Sequence, residues 1–493
     1  MLRLCVALAL VAALGLLRLA DPFGGDQALF LVAGKELARG AILYRDFWDV
    51  KQPGIFAFYT VAGTVGGFRQ EALHAVELVW NLALTLVVAT ALRRHVRLPG
   101  SATAGALVIT GATYAVTDGS ALTQVEGLVG LPLICCCWAT IAAFEGERTP
   151  RAAVALAVAG GLAAGLAIFF KLLFAGIVVA ILVTVMVRRR RVALAGAWLV
   201  GATVPLVAFA LSALHDGTLP EVVTTFFVLP SRIVATAGVA PVQRLAESAR
   251  WFAVGFGFLV PLAALGCADI RDARAALWRD VALAYLIASL AIVLVQVQSW
   301  WPYHFLLLIP PLGVLATFGI DAIAVRLRER DARRGIAVAA LVCVGAALLP
   351  DALTVAKSAA RIARDRPFAS ESAAERYRLR FSGGYARAAA IAAFLDEPRN
   401  ARGGVYVGGD PRVYLIAARD QAVPINGWAL ELYPPERWRL LEKQIATIRP
   451  RYIFIADDYR ALVQERSPIL AEHLARTYVV ARSTDAGTWY RAP

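Results

Sequence analysis

Apolar runs of roughly 16–23 residues recur from the start of the chain to about Val355, each long enough, or nearly so, to cross a bilayer core. That pattern rules out an ordinary soluble fold for most of the molecule. Composition agrees: 59% of the 493 residues are hydrophobic and 17% are charged, against roughly 45–50% and 25% in soluble domains. The first run carries the basic Arg3 but has no small-residue cleavage site before Asp21, so it reads as a retained span rather than a signal peptide. Beyond Val355 the composition becomes that of a globular domain.

The formal charge of +14 would fit a nucleic-acid partner if it were pooled on one domain. It is distributed between the spans instead, at Arg93, Arg94 and Arg97, at Arg148 and Arg151, at Arg188 to Arg191, at Arg271, Arg274 and Arg279, and from Arg326 to Arg334. Such clusters mark cytoplasmic loops. The charge reports topology, and no nucleic-acid partner is expected.

Placing every cluster inside gives about eleven spans. They are Leu4–Ala20, Ala72–Leu92, Ser101–Thr117, Leu122–Phe144, Ala152–Phe169, Leu172–Val187, Val192–Leu214, Trp251–Ala268, Val281–Val297, Tyr303–Val325 and Gly335–Val355. The apolar segment Pro53–Gly67 decides the parity. At about 15 residues it is short for a span, and if it crossed, the charge rule would fail along the next loops. It is expected to lie on the outer surface as an interfacial helix. Asp26–Arg39 is a second short helix, with Ala28, Leu29, Val32, Ala33 and Leu37 on one face. The membrane domain is thus expected over 1–355, with a first outer loop at 21–71, and an extracytoplasmic domain over 356–493.

In that second domain, Val405–Val407, Tyr452–Ile455 and Val479–Arg482 read as strands, and Pro435–Ile448 and Asp458–Thr477 as amphipathic helices. The fold expected is a small α/β module. Gly408-Gly409-Asp410 reads as a tight turn, and no nucleotide-binding motif is present. Cys5, Cys135, Cys136, Cys137, Cys267 and Cys343 all fall in apolar runs without metal-ligand spacing, so packing is their expected role.

The densest polar constellation is the first outer loop, with Asp26, Glu36, Tyr44, Arg45, Asp46, Trp48, Asp49, Lys51 and Gln52. Charges beside a bilayer are costly unless solvated or committed to a site. Glu36, Arg39 and Arg45 read as surface ion-pair formers. Asp26, behind Gly24-Gly25, stands just above the end of the first span. Lys51, two residues before Pro53, stands where a lipid phosphate would lie. Further polar residues fall at outer ends of spans: Asp118 and Glu126, Lys171 in IFFKLLF, and Tyr303 and His304 in QSWWPYHFLLLIPP. For Lys171 the alternative is snorkelling to the interface, and for Trp300, Trp301 and Tyr303 an aromatic belt. Arg232 is one of three arginines in the loop from His215 to Arg250.

The string GDQALFLVAGKELARGAILYRDFWDVKQPG, followed by an apolar surface helix, resembles the first outer loop of GT-C glycosyltransferases. The resemblance is to the bacterial branch related to protein O-mannosyltransferases and the lipid A aminoarabinose transferase. GLAIFFK, WPYHFLLLIPPLG and an α/β tail ending in a strand with Tyr490-Arg491 resemble it too. The resemblance implies sugar transfer from a polyprenyl-phosphate donor to a lipid, glycan or protein acceptor, at the outer face of a bacterial inner membrane. It implies that Asp26 is the catalytic base or acceptor-orienting acid, with Glu126 as second acid and Asp118 as its runner-up. Lys51 would hold the donor phosphate, with Asp49, Tyr44, Lys171, Tyr303, His304 and Arg232 as further substrate-binding positions. The family usually has a second acid after the first-loop Asp, where Gln27 stands here, and a double proline after the lysine, where this chain has Gln52-Pro53. No cofactor is expected, because a monophosphate donor can be neutralised by Lys51; a divalent cation on Asp26 and a second acid is the other option.

Three readings compete. A polyprenyl-linked substrate transporter would carry mid-span charges and inverted repeats, which are not seen. A scaffold leaves the first-loop cluster unexplained. An oligosaccharide polymerase or ligase would carry larger, arginine-rich outer loops.

Overall fold

The computed structural model describes residues 1–270, 272–328, 334–400 and 402–493. Arg271 and positions 329–333 of the last basic cluster lie outside the described residues. The chain forms two compact units. One contains residues 1–19, 74–209 and 240–364, and the other residues 20–73, 210–239 and 365–493.

The first unit holds most of the membrane helices. Among the described residues of the whole chain, nine helices are long and apolar enough to cross a bilayer. They become ten if Val242–Phe256 and Leu259–Asp269, bent by 68°, form one span. All eleven expected segments fold as helix. Two of them, Leu2–Leu16 and Pro99–Val116, fall outside that count. One segment inside it was not expected. Leu219–Thr236, read from sequence as loop, is helical through a π-helical turn at Thr224–Val228, and belongs to the second unit.

Helices in this first unit approach closely through small residues, which is how apolar helices pack where burial against lipid gives no drive. A Cβ on Gly319 would lie 2.0 Å from the Leu262 carbonyl oxygen, and one on Gly161 would lie 1.9 Å from that of Trp198. Arg18, at the end of the first helix, is buried and donates to the Tyr114 carbonyl at 2.9 Å and the Ala115 carbonyl at 3.2 Å. At a basic loop Arg97 reaches Asp321 at 2.9 Å.

The second unit joins the first loop to the C-terminal domain. Helix Gly25–Ala38 starts at Gly24, whose N–H donates to the Gln27 side chain at 2.8 Å. Gln27 is fully buried; at the position where the resembling family has an acid, this chain has a helix-starting cap. Pro53 opens helix Pro53–Gly66, and Gly67 ends it at φ +85°, a conformation glycine adopts without Cβ strain. The two helices pack through aromatic edges, Phe30 against Tyr59 and Phe56.

The four-stranded sheet has the order β1 (Val405–Gly408), β2 (Tyr452–Ala456), β4 (Gly487–Arg491), β3 (Val479–Thr484). β1 and β2 are parallel, with Val405 opposite Tyr452, and are joined through a crossover containing helix Pro435–Ile448. β4 pairs antiparallel with β2 and β3. The three predicted strands and the helix Pro435–Ile448 are found where expected. The predicted helix Asp458–Thr477 divides in two, Asp457–Arg466 and Pro468–Thr477. Pro468 has no N–H to continue a helix but suits the first turn of a new one, and Ser467 caps it by accepting from Leu470 N at 3.3 Å.

Candidate active site

Asp26 lies in the first turn of its helix, an electrostatically favourable place for a carboxylate. Its Oδ1 accepts from the Trp428 indole Nε1–H at 2.7 Å and lies 3.3 Å from Lys51 Nζ. The indole also covers the backbone. A Cβ on Gly25 would sit 2.5 Å from the Trp428 ring, so this approach requires glycine. Lys51 lies 5.2 Å from the centre of the Phe30 ring. One acid, one ammonium and one indole thus share a half-buried corner.

The loop that presents Lys51 is held rigidly. Asp49 is buried, and its two oxygens accept from Lys51 N and from Asn426 Nδ2, each at 2.9 Å. Tyr44, in the left-handed region at φ 69°, donates its hydroxyl to the Lys51 carbonyl at 2.8 Å. Burial and then the nearby Asp49 charge push the Tyr44 phenol well above its ordinary range, so it stays a donor. The next layer comes from the C-terminal domain. Trp48 N donates to the Pro424 carbonyl at 2.9 Å, and Asn426 Nδ2 to the Trp48 carbonyl at 2.9 Å. The Trp48 indole donates to Glu221 at 2.8 Å, Glu221 also pairs with Arg437, and the Arg437 guanidinium lies 4.3 Å over the Trp48 ring.

A second polar cluster stands in the first unit. Glu126 is buried, and its Oε1 accepts from Lys171 Nζ at 2.7 Å. Lys171 also donates to Gln296 Oε1, and His304 Nε2 lies 4.0 Å from Glu126 Oε1. Tyr303 meets the His304 ring edge-on at 4.6 Å between centroids. Lys171 is therefore engaged by an internal acid and amide.

Other predicted positions are placed differently. Asp118 is exposed and caps the short helix Gly119–Leu122, accepting from Ser120 N at 2.9 Å. Arg232 pairs with Glu436 at an exposed surface. Arg45 pairs with Asp46 at 2.8 Å and Arg39 with Glu36 at 3.3 Å, the surface pairing expected of them. Residues not anticipated at the site are Gln296 and Asn426; Trp428, which the sequence leaves equally open to acceptor binding or core, meets Asp26, while Tyr433 and Trp438 are buried. Among the described residues, no group of three or more His, Cys, Asp or Glu is placed to hold a metal ion.

No protein-family model matches the chain, and no curated protein matches it by sequence. Solved structures do match by fold. ArnT from Cupriavidus metallidurans, bound to undecaprenyl phosphate, superposes with a TM-score of 0.60 at 17% identity, over 99% of this chain and 97% of that one. Its apo form gives 0.60 at 16% identity. The archaeal oligosaccharyltransferase AglB from Archaeoglobus fulgidus, in complex with an inhibitory peptide and a dolichol-phosphate, gives 0.51 at 15% identity, over 99% of this chain and 74% of that one. At these identities the likeness is one of fold, and it spans nearly the whole chain. The multi-span helical fold with a small C-terminal sheet, expected from the apolar runs and the strand signals, is the fold found.

Proposed function

We propose that the protein is a membrane glycosyltransferase that moves a sugar from a polyprenyl-phosphate donor to an acceptor hydroxyl. The observation that carries the reading is the Asp26–Lys51 pair, a carboxylate and an ammonium 3.3 Å apart on a loop braced by Asp49, Tyr44 and Asn426. Whole-chain fold likeness to ArnT, bound to undecaprenyl phosphate, and to AglB, in complex with a dolichol-phosphate, supports the donor class. The positive-inside rule supports an outer-face position for the first loop and the C-terminal domain, and the family resemblance supports a bacterial inner membrane as the setting.

In the proposed step the acceptor oxygen attacks the anomeric carbon. Its proton passes to the Asp26 carboxylate, the carbon–phosphate oxygen bond breaks, and polyprenyl phosphate leaves with the electron pair. Lys51 supplies the positive charge that the departing phosphate needs. Without donor, Lys51 rests on Asp26; the donor's phosphodiester anion offers it another partner, whose charge grows as the carbon–oxygen bond breaks, and its transfer there releases the base. Glu126 is proposed as the second acid. With Lys171 and His304 it forms the kind of buried ionisable set that membrane proteins keep for substrate.

Purified wild type and Asp26→Asn are compared with synthetic undecaprenyl- and decaprenyl-phosphate sugars, with and without EDTA. Transfer by wild type alone, with equal thermal stability of both proteins, is the expected result. Persistence in EDTA would mark a metal-independent reaction. Full turnover by Asp26→Asn would remove the assigned base. No transfer from any donor, with the folded protein still binding polyprenyl phosphate, would favour a lipid-carrier transporter.

A further inference from the structure

Helix Leu219–Thr236 has two unlike sides. Val223 and Phe227 are exposed, while Val222, Thr225 and Leu229 are buried at the spacing of one helix face. Its middle is a π-helical turn, Thr224–Val228, a wider turn of the kind that recurs at functional sites. The adjacent residues Thr225 and Phe226 both reach the first outer loop, which belongs to the same unit. Thr225 Oγ1 accepts from the Trp48 indole Nε1–H at 3.3 Å, and the Phe226 ring meets Tyr44 edge-on at 5.7 Å between centroids.

The two loop residues touched by this helix are the ones that set the backbone at Lys51. Tyr44 is a bulky residue in the left-handed region at φ 69°, a conformation that persists only where the surroundings over-determine it. Those surroundings are its N–H on the Phe47 carbonyl at 2.7 Å, its hydroxyl on the Lys51 carbonyl at 2.8 Å, and Phe226 across its ring. Trp48 precedes Asp49, whose carboxylate accepts from Lys51 N at 2.9 Å. The Trp48 indole is held by Glu221, which accepts from it at 2.8 Å and from the Thr225 hydroxyl at 3.2 Å. Glu221 is fixed in turn by Arg437, and Arg232 further along pairs with Glu436. Adjacent residues in the first turn of helix Pro435–Ile448 thus hold helix Leu219–Thr236 at two places.

Both backbone groups of Lys51 are therefore tied to this helix, the carbonyl through Tyr44 and the N–H through Asp49 and its neighbour Trp48. A helix that only covered the loop would need its apolar buried face and nothing more. This one commits a carboxylate, a hydroxyl and an aromatic ring to the loop. We propose that Glu221 and Phe226 are positioning residues for the donor: they fix the loop from Tyr44 to Lys51 and so place the Lys51 ammonium for the donor phosphate. The inference rests on the donor-holding role proposed for Lys51. Misplacing a functional group by about 1 Å can cost up to about a hundredfold, so a brace that touches no substrate is still felt in binding.

The test is a double-mutant cycle on the full chain in detergent, with undecaprenyl phosphate as the probe and affinity read by titration. Glu221→Ala removes the acceptor of the Trp48 indole, and Glu221→Gln keeps an oxygen there. Phe226→Leu keeps apolar volume and removes the ring that faces Tyr44. Glu221→Ala and Phe226→Leu are each expected to weaken binding about tenfold, and Glu221→Gln to recover part of the loss. In a Lys51→Ala background the same substitutions are expected to add nothing, because the group they place is gone. Thermal melts accompany every variant, since an effect through the fold alone follows stability and is the same in both backgrounds. Equal weakening in both backgrounds would assign Glu221 and Phe226 to the fold and overturn the proposal. Wild-type affinity in Glu221→Ala and Phe226→Leu, with Lys51→Ala binding weakly, would overturn it as well and leave the role of Lys51 standing. Wild-type affinity in Lys51→Ala would defeat the donor-holding reading of Lys51, and the positioning roles with it.

Discussion

The Trp428 indole donates to Asp26 Oδ1 at 2.7 Å across 402 residues of chain. The proposed catalytic base is thus oriented by the C-terminal domain. Hydrogen bonds to an ionised group contribute roughly 1.5–3 kcal/mol, or about ten- to a hundredfold in rate when they fix a reacting group. Trp428→Phe keeps an aromatic ring against Gly25 and removes only the donor. It is expected to lower kcat by that factor with little change in donor KM. Steady-state kinetics with a polyprenyl-phosphate sugar make the measurement, and an unchanged kcat would reduce Trp428 to a packing role.

Lys51 is expected to act on the donor rather than on the fold. Its side chain keeps 26% exposure and its ammonium a 3.3 Å contact with Asp26, a geometry in which an ion pair contributes little to stability. Lys51→Ala should leave the melting temperature close to that of wild type and weaken donor binding by about ten- to a hundredfold, the loss of one charged contact. Thermal melts read the first quantity and titration with polyprenyl-phosphate sugar the second. Unaltered donor affinity would contradict the assignment.

How far the sequence reaches is instructive at these residues. Asp26 and Lys51 stood out because charges beside a bilayer need a reason, and because their loop string was long enough to resemble a family. The spans were legible because twenty apolar residues in a row have few other uses. Asn426, and the contact of Trp428 with Asp26, were invisible: a tryptophan in a soluble domain is as readily core as site, and periodicity reports which face a residue occupies, not which distant side chain meets it. The Glu126–Lys171 pair, 45 residues apart, was seen as two polar positions and not as one ion pair. The break at Ser467-Pro468 was printed in the sequence, yet the amphipathic period ran through it and suggested one helix. The helical segment over 219–236 was missed because its hydropathy, 1.2, is the lowest of the candidate spans.

Glu126 and Lys171 allow stability and function to be separated. Removing one member of a buried pair costs roughly 3–5 kcal/mol, and the cost here falls toward the lower end because Lys171 keeps 21% exposure. Glu126→Gln should therefore lower the melting temperature. Glu126→Gln combined with Lys171→Met removes both charges and should recover much of the loss without recovering transfer. Thermal melts alongside transfer assays decide. Transfer restored by the double variant would mean that the pair is structural only.

Glu36 gives a pH signature of known sign. Burial, and then the neighbouring Asp420 charge, raise its carboxyl above the ordinary value, against the opposing pull of Arg39 and Lys35. A carboxyl whose folded value is raised binds its proton more tightly in the native state than in the unfolded chain. The stability it contributes is fully present below the unfolded value near 4.5 and is lost as pH rises through the higher folded value. At neutral pH the ionised group is thus less favourable than an uncharged isostere. Glu36→Gln should match or exceed wild-type thermal stability at pH 7, and the difference should shrink as pH falls below the folded value. Paired melting curves between pH 4 and 7 test this, and a variant less stable than wild type at pH 7 would show that the Arg39 pair outweighs burial.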